Sequence, residues 1–118
     1  MSAHQKINYL EFPSKDLLKT KSFFSSVFSW QFNDYGPQYS VFLGAGINGG
    51  FYLSTLNACT KNGSVLTVIY SSNITATAEK IKQAGGEIIK PIFSFPGGVR
   101  FHFTDPNGNE YAVWSEQE

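Results

Sequence analysis

The sequence has little of what several classes of protein require. Cys59 is its only cysteine, so no disulfide can form within the chain, which fits a reducing compartment. Nine acidic and nine basic residues cancel and no basic run is present, so we expect no nucleic-acid partner. No apolar run approaches the roughly 20 residues that cross a membrane, and the first residues do not resemble a signal peptide. We therefore expect a cytoplasmic protein with no membrane partner.

Aromatic side chains, in contrast, are abundant. Eleven Phe, six Tyr and two Trp make up 16% of the 118 residues. Large rings carry large apolar areas, and in a chain of this length some of them must line a cavity or an interface. We therefore predict one domain over residues 1–118, with a ring-lined cavity and an interface that pairs two copies as a homodimer.

Apolar periodicity and turn residues predict a strand, a helix and three more strands in the first half of the chain. The helix has its apolar residues on one face, and Ser14 or Asp16 is its cap. Pro13 is expected to stop the strand that precedes this helix. The strands predicted for this half cover residues 6–12, 31–35, 39–44 and 48–54.

The same order is predicted again in the second half. Asn73 caps the helix, and Gly85-Gly86 ends it in the left-handed conformation that glycine tolerates best. The strands predicted here cover residues 65–70, 87–95, 99–104 and 110–115. We therefore predict an α+β fold of two βαβββ modules, residues 6–54 and 64–116, forming a curved, cup-like mixed β-sheet with the helices outside.

The last predicted hairpin carries a specific motif. Its turn, Phe103-Thr104-Asp105-Pro106-Asn107-Gly108-Asn109, resembles the closing hairpin of the vicinal-oxygen-chelate family, which includes glyoxalase I, bleomycin-binding proteins, fosfomycin-resistance enzymes and extradiol dioxygenases. Residues 9–17 resemble that family's opening strand and helix start, and residues 23–30 and 84–86 resemble its two helix ends. The resemblance covers nearly the whole chain and implies two modules that face each other around a cup.

The resemblance also assigns four metal-ligand positions, and this chain lacks the ligands. Three of the positions fall on Tyr9, Leu66 and Ala112, the last of which stands where metal-dependent members have a Glu. The fourth falls within Asn48–Leu53, which contains no His, Glu, Asp or Cys. Because Leu and Ala side chains have no donor atom, we expect neither a bound metal nor another cofactor.

Since side chains alternate along a strand, the same positions predict which residues face the cup. In fosfomycin-resistance members, a Tyr at the position of His102 contacts the substrate phosphonate. The aromatic rings would provide contact area, and the few polar groups would orient a ligand. This combination suits a small amphipathic or aromatic organic molecule, and we predict metal-independent binding of such a molecule. The residues predicted to bind it are Tyr9, Glu11, Leu66, Tyr70, Arg100, His102, Ala112 and Trp114.

Two other functions stay open at this point. The chain could be a lyase, an isomerase or an antibiotic-modifying enzyme of the same superfamily, with a relocated metal or a His102–Glu11 acid–base pair. It could also be a structural or regulatory protein whose cup is filled by its own aromatic side chains. In the simplest alternative, His102 is bonded to a strand neighbour and Glu11 is paired with Arg100. The sequence assigns no catalytic residue.

Overall fold

The computed structural model describes residues 3–116, and their order of elements confirms two βαβββ modules. No helix within these residues is long and apolar enough to cross a membrane. The first module contains β1 (Tyr9–Ser14), α1 (Leu17–Phe28), β2 (Gln31–Asp34), β3 (Tyr39–Leu43) and β4 (Asn48–Leu53). After a short 3₁₀ turn (Thr60–Asn62), the second contains β5 (Thr67–Tyr70), α2 (Ile74–Gln83), β6 (Glu87–Phe95), β7 (Gly98–Thr104) and β8 (Glu110–Ser115).

Each module forms a mixed four-stranded sheet of the same topology. The strand order is β1-β4-β3-β2 in the first sheet and β5-β8-β7-β6 in the second. In both, the first strand of the module runs parallel to the last, and the other pairs are antiparallel. The predicted α+β class is confirmed, and its mixed sheet is present as two four-stranded sheets.

Local signals position the helices and the last turn as the sequence predicts. Asp16, rather than Ser14, caps α1 through its carboxylate, and Asn73 caps α2 in the same way, each accepting a backbone N–H at 3.1 Å. Gly85, which follows α2, has a φ of 99°. Gly108 has a φ of 93° and donates its N–H to the Asp105 carbonyl at 3.0 Å, which closes the turn before β8.

The prediction that Pro13 ends the first strand is wrong. β1 continues through Pro13 to Ser14, in register with Tyr52 and Leu53 of β4. Because β1 is an edge strand, the N–H that proline lacks is not needed on its unpaired side. The strand also begins at Tyr9 rather than at residue 6, because the pairing with β4 starts only at Asn48.

The helix sides of both sheets share one hydrophobic core. Phe24 of α1 contacts Phe51 of β4, with ring centroids 5.6 Å apart, and Tyr111 of β8, at 5.3 Å. Phe23, one residue earlier, contacts Phe103 of β7 at 6.0 Å. Since alternate side chains point to opposite faces of a strand, the other face of each sheet points away from this shared core. We call these the first open face, with Tyr9, Glu11, Tyr39, Gly50 and Tyr52, and the second open face, with Val68, Tyr70, Arg100, His102, Glu110, Ala112 and Trp114.

Candidate functional site

The structure divides the predicted site residues between the two open faces. On the second face, Arg100 is in register with Trp114, His102 with Ala112, and Tyr70 with Trp114. Leu66 precedes β5 by one residue and lies outside the strand. Tyr9 and Glu11 lie on β1, across the shared core. One chain therefore brings together five of the eight predicted residues and holds Tyr9 and Glu11 apart from them.

A buried chain of hydrogen bonds lies at the base of the second open face. Arg100 Nη2 lies 2.8 Å from His102 Nε2, and His102 Nδ1 lies 2.7 Å from Glu110 Oε2. Arginine can only donate, so Nε2 must be the acceptor and the proton must be on Nδ1, which donates to Glu110. His102, of which 3% is exposed, is therefore a neutral imidazole whose tautomer is fixed by its two neighbours.

The segment between the modules holds the carboxylate of Glu110 in place. Glu110 Oε1 accepts hydrogen bonds from the backbone N–H of Thr60 at 2.8 Å and from its hydroxyl at 2.9 Å. Burial on its own would raise the pKa of Glu110, but the hydrogen bonds from His102 and Thr60 together hold that pKa below its ordinary value. Glu110 is thus an ionised carboxylate that orients His102.

We expect Glu110→Gln to lower the free energy of unfolding by about 1–3 kcal/mol at neutral pH. The amide has one acceptor oxygen, whereas donors face both oxygens of Glu110, so one buried donor loses its partner. Because the native pKa of Glu110 is lowered, its contribution is present above the ordinary value of 4.5 and is lost as the pH falls through the lowered pKa.

Urea denaturation of both proteins between pH 7 and pH 3 measures this difference. The gap in stability should narrow below pH 4.5. Glu79→Gln, which removes an exposed partner of Lys82, is the matched control and should change stability by less than about 0.5 kcal/mol. A gap that is equally large at pH 3 and pH 7 would show that Glu110 does not act as an ionised carboxylate.

Aromatic rings surround the guanidinium of Arg100. Its central carbon lies 5.8 Å from the ring centroid of Phe93 and 5.9 Å from that of Phe95. Its Nε atom is buried and has no hydrogen-bond partner. Beside it is a cavity of about 400 Å³, lined by Val68, Phe95, Pro96, Gly97, Arg100 and Trp114. The arrangement offers a cation and ring surfaces to one small molecule.

The first open face carries a different polar group. Tyr39 donates its hydroxyl proton to Glu11 at 2.9 Å, so the Tyr9 hydroxyl, 2.5 Å from that of Tyr39, is the donor in their shared bond. Partial burial and these two hydrogen bonds raise the pKa of Tyr39 well above its usual range. Within one chain, Glu11 is therefore paired with Tyr39. The His102–Glu11 and Glu11–Arg100 pairs considered from the sequence are not formed.

Sequence reasoning missed Phe93, Phe95 and the role of Glu110. The register of β6 against β7 shifts between Ile88 and Lys90 and again before Phe93, so simple alternation does not show which way the phenylalanines point. Alternation does place Glu110 on the inward face with Ala112. Its distance from His102 depends on the register of β7 and β8, which the sequence alone does not specify.

A further cavity of about 400 Å³ lies between the modules. Its lining is mostly apolar and includes Phe28, Trp30, Thr67 and Tyr70, with no charged side chain. It suits an apolar group, and the hydroxyls of Thr67 and Tyr70 are among the few polar groups in its lining. The polar groups predicted for the site, Glu11, Arg100 and His102, are on the two open faces.

The residues at the family's metal positions do not fit a metal. Leu66 and Ala112 offer no donor atom, and the Tyr9 hydroxyl donates its proton to Tyr39. Within residues 3–116, no three His, Cys, Asp or Glu side chains lie close enough together to hold a metal ion. The chemistry proposed below therefore uses only this chain's own side chains.

Comparisons with known proteins agree with this architecture. The chain matches a glyoxalase-related enzyme from Fulvimarina pelagi with a TM-score of 0.77 and 18% identity, over 94% of this chain and 88% of the other. The fosfomycin resistance protein FosX from Listeria monocytogenes gives a TM-score of 0.78 and 18% identity, over 96% and 94%. Hypothetical protein SA1046 from S. aureus gives a TM-score of 0.75 and 14% identity, over 97% of this chain and 99% of the other. At these identities the likeness shows the fold alone.

The sequence comparisons identify the family. A search of curated proteins gave no significant match. A family model described as Glyoxalase/Bleomycin resistance protein/Dioxygenase superfamily matches residues 6–113, which is most of the chain. The chain belongs to the glyoxalase/bleomycin resistance protein/dioxygenase superfamily.

Proposed function

We propose that this protein binds a small amphipathic organic molecule on its second open face, without a metal. The observation that carries the proposal is the position of the Arg100–His102–Glu110 chain directly beside the cavity lined by Phe95 and Trp114. A cavity of about 400 Å³ is at the small end of the range for ligand sites. Rings supply contact area there, and the polar chain supplies orientation.

The rings around Trp114 give that surface its shape. Tyr70 meets Trp114 edge-on at 5.2 Å, and Phe95 meets it in a similar orientation at 6.4 Å. In the single chain Tyr70 is nearly half exposed, so the chain's own side chains leave room for a ligand beside this group. We place the apolar part of the ligand against Trp114 and Phe95, and its polar part toward Arg100 and His102.

We also propose that the protein is a homodimer in which the first open face of each copy covers the second open face of the other. Both faces expose large apolar side chains, among them Tyr9, Tyr52, Val68 and Tyr70. Glu11 on one face and Arg100 on the other are complementary in charge. A twofold arrangement covers both faces at once and places Tyr9 and Glu11 opposite the second face.

Sedimentation at micromolar concentration tests the dimer, which should be the main species. Glu11→Arg should shift the equilibrium toward monomer, because two cations would then meet across the interface. Lys80→Glu, a charge reversal on an exposed position of α2, is the control and should leave the dimer intact. A wild-type protein that sediments as a monomer would contradict this arrangement.

A cytoplasmic location is part of the proposal and rests on the unpaired Cys59.

Tryptophan fluorescence and thermal shift of a compound library test the binding proposal. Trp30 is stacked between Phe24 and Phe42 in the core, at 4.6 and 4.9 Å, so Trp114 should carry the response to a ligand. The response should be lost in Trp114→Phe. We expect His102→Ala to weaken binding by roughly 0.5–1.5 kcal/mol, and Tyr9→Ala to weaken it in the dimer. Hits that bind equally well to all three variants would place the site elsewhere.

One observation favours a second candidate, a metal-independent lyase or isomerase. His102 is a neutral imidazole backed by an ionised carboxylate, which can accept a proton and stabilise the resulting imidazolium. The partner in this acid–base pair is Glu110 rather than Glu11. The bond from Arg100 to Nε2 occupies the accepting lone pair in the free protein, which is why we place binding before catalysis.

A further inference from the structure

We propose that the ligand is an aromatic acid whose carboxylate takes Arg100 away from His102. The inference rests on the proposed binding function and names the chemical class of its ligand. It follows from the charge, the surroundings and the hydrogen bonds of Arg100.

The charge of Arg100 has no counter-ion among the described residues. Within residues 3–116 the ion pairs are Lys21–Asp34 and Lys82–Glu79, and neither includes Arg100. Arg100 instead donates to a neutral imidazole, and its Nε–H is buried with no acceptor. A partly buried cation without an anion is costly, and a carboxylate accepts from guanidinium more strongly than an imidazole does. The site therefore favours an anionic ligand.

Protein carboxylates on this face do not compete for Arg100. Both oxygens of Glu110 are engaged, one by His102 and the other by Thr60. Glu116 accepts a hydrogen bond from the Tyr70 hydroxyl. Lys90, in register with His102 on β6, adds a second positive charge to the region. The acceptor that completes Arg100 therefore has to come from outside the chain. In the proposed dimer Glu11 of the second copy faces this surface, but its carboxylate already accepts from Tyr39, which leaves a ligand carboxylate as the acceptor.

The surroundings of Arg100 favour a flat, singly charged molecule. Phe93 and Phe95 flank the guanidinium, and Phe95 with Trp114 bounds the adjoining cavity. A planar carboxylate matches the planar fork of arginine, and a ring attached to it would lie against Phe95 and Trp114. A phosphate group carries more oxygens and charge than one guanidinium can satisfy. A carboxylate on an aromatic ring fits better.

Binding of the acid should release one nitrogen of His102. When the carboxylate takes the guanidinium, His102 Nε2 loses its donor, whereas Nδ1–H keeps its bond to Glu110. The released Nε2 then faces the ligand as a free acceptor. This predicts a coupled change at Arg100 and His102 that ring stacking on Trp114 would not produce.

Arg100 is the only arginine in the sequence, so ¹⁵N-arginine labelling gives a single side-chain Nε–H signal. We would titrate the labelled dimer with benzoate, 2-naphthoate, the neutral isosteres benzamide and 2-naphthamide, and inorganic phosphate. The acids should shift this signal and, in a second sample labelled with ¹⁵N-histidine, the ¹⁵N signal of His102 Nε2. They should bind at least ten-fold more tightly than their amides and than phosphate. Arg100→Lys keeps the charge but loses the planar guanidinium, and it should lower the ratio of acid affinity to amide affinity at least five-fold. Lys82→Gln should leave that ratio unchanged.

The outcomes separate the two levels of the proposal. If acids and amides bind equally and quench Trp114, the carboxylate inference is overturned while the binding function stands. If phosphate binds as tightly as the acids, the site takes anions in general and the aromatic-acid assignment is overturned. If no compound perturbs Arg100, His102 or Trp114, the proposed binding face fails and the inference fails with it. The comparison of acid with amide uses the wild-type protein, so it does not depend on whether a variant folds.

Discussion

Replacing Asp105 with Ala is expected to lower the free energy of unfolding by about 3–5 kcal/mol, the largest effect that we predict for a polar residue. Asp105 is buried in the turn before β8. Its Oδ1 accepts from the backbone N–H groups of Asn107 and Asn109, at 2.9 and 3.1 Å, and its Oδ2 accepts from the Tyr111 hydroxyl at 2.8 Å. Alanine would leave these three buried donors without acceptors.

The effect should spread beyond the turn because Tyr111 is at the centre of the core. Its ring contacts Phe12, Phe24 and Phe103, with centroids 5.2–5.7 Å apart. The hydrogen bond to Asp105 satisfies the hydroxyl of a fully buried side chain whose ring packs against these three phenylalanines. Loss of that bond would leave a polar atom at the point where the two modules meet.

Urea denaturation at neutral pH measures the cost, with Tyr111→Phe as the matched variant. Tyr111→Phe removes one donor and leaves the other two hydrogen bonds in place, so it should cost about 1–2 kcal/mol, less than Asp105→Ala. Equal costs for both variants would mean that the backbone donors of the turn reach other acceptors. A cost below about 1 kcal/mol for Asp105→Ala would contradict the role given to the carboxylate.

The pH dependence of the same residue provides an independent check. Burial raises the pKa of Asp105, and this outweighs the hydrogen bonds from Tyr111 and the turn backbone, which lower it. The folded protein therefore holds this proton more tightly than the unfolded chain, and stability from this group falls as the pH rises from 3.8 through the raised value. Glu110 has the opposite sign, so the two carboxylates act against each other in acid.

The parts of the fold that follow from the sequence are those encoded by a few neighbouring residues. The caps Asp16 and Asn73 and the turn at Gly108 require particular side chains or dihedral angles, and these needs can be read from the sequence. Pro13 shows the limit of such rules. Whether proline ends a strand depends on whether both edges of that strand are paired, and that is decided by the rest of the sheet.

The candidate site shows the same division between local and long-range information. Alternation places Arg100, His102 and Trp114 on one face of adjacent strands, because that requires only the parity of β7 and β8. It cannot show that Phe93 lies on the same face, because the pairing of β6 with β7 has two register shifts before Phe93. Alternation also cannot show which face of each sheet packs in the shared core. That is decided by contacts between the modules, such as those of Phe24 with Phe51 and Tyr111.

Gly49→Ala is expected to lower the free energy of unfolding by about 3 kcal/mol, at the upper end of the usual cost of overpacking. Gly49 is paired with Leu10 of β1 on one side and with Phe42 of β3 on the other. A Cβ at this position would overlap the Leu10 carbonyl oxygen and lie 2.5 Å from the Cζ atom of the buried Phe42 ring. A backbone carbonyl in a ladder and a ring in the core cannot both move without separating β1 from β4.

The neighbouring variant Gly50→Ala gives the contrast that tests this reasoning. The three atoms nearest to a Cβ there all belong to the Tyr39 ring and its hydroxyl, and Tyr39 is a partly exposed side chain that can turn toward solvent. We expect a cost below about 1 kcal/mol by urea denaturation, together with loss of the Tyr9–Tyr39–Glu11 hydrogen bonds. If the costs of the two variants are reversed, the packing assigned to β4 is wrong. If Gly50→Ala folds normally and still weakens the dimer, the first open face takes part in the interface, because the variant changes that face and leaves the core intact.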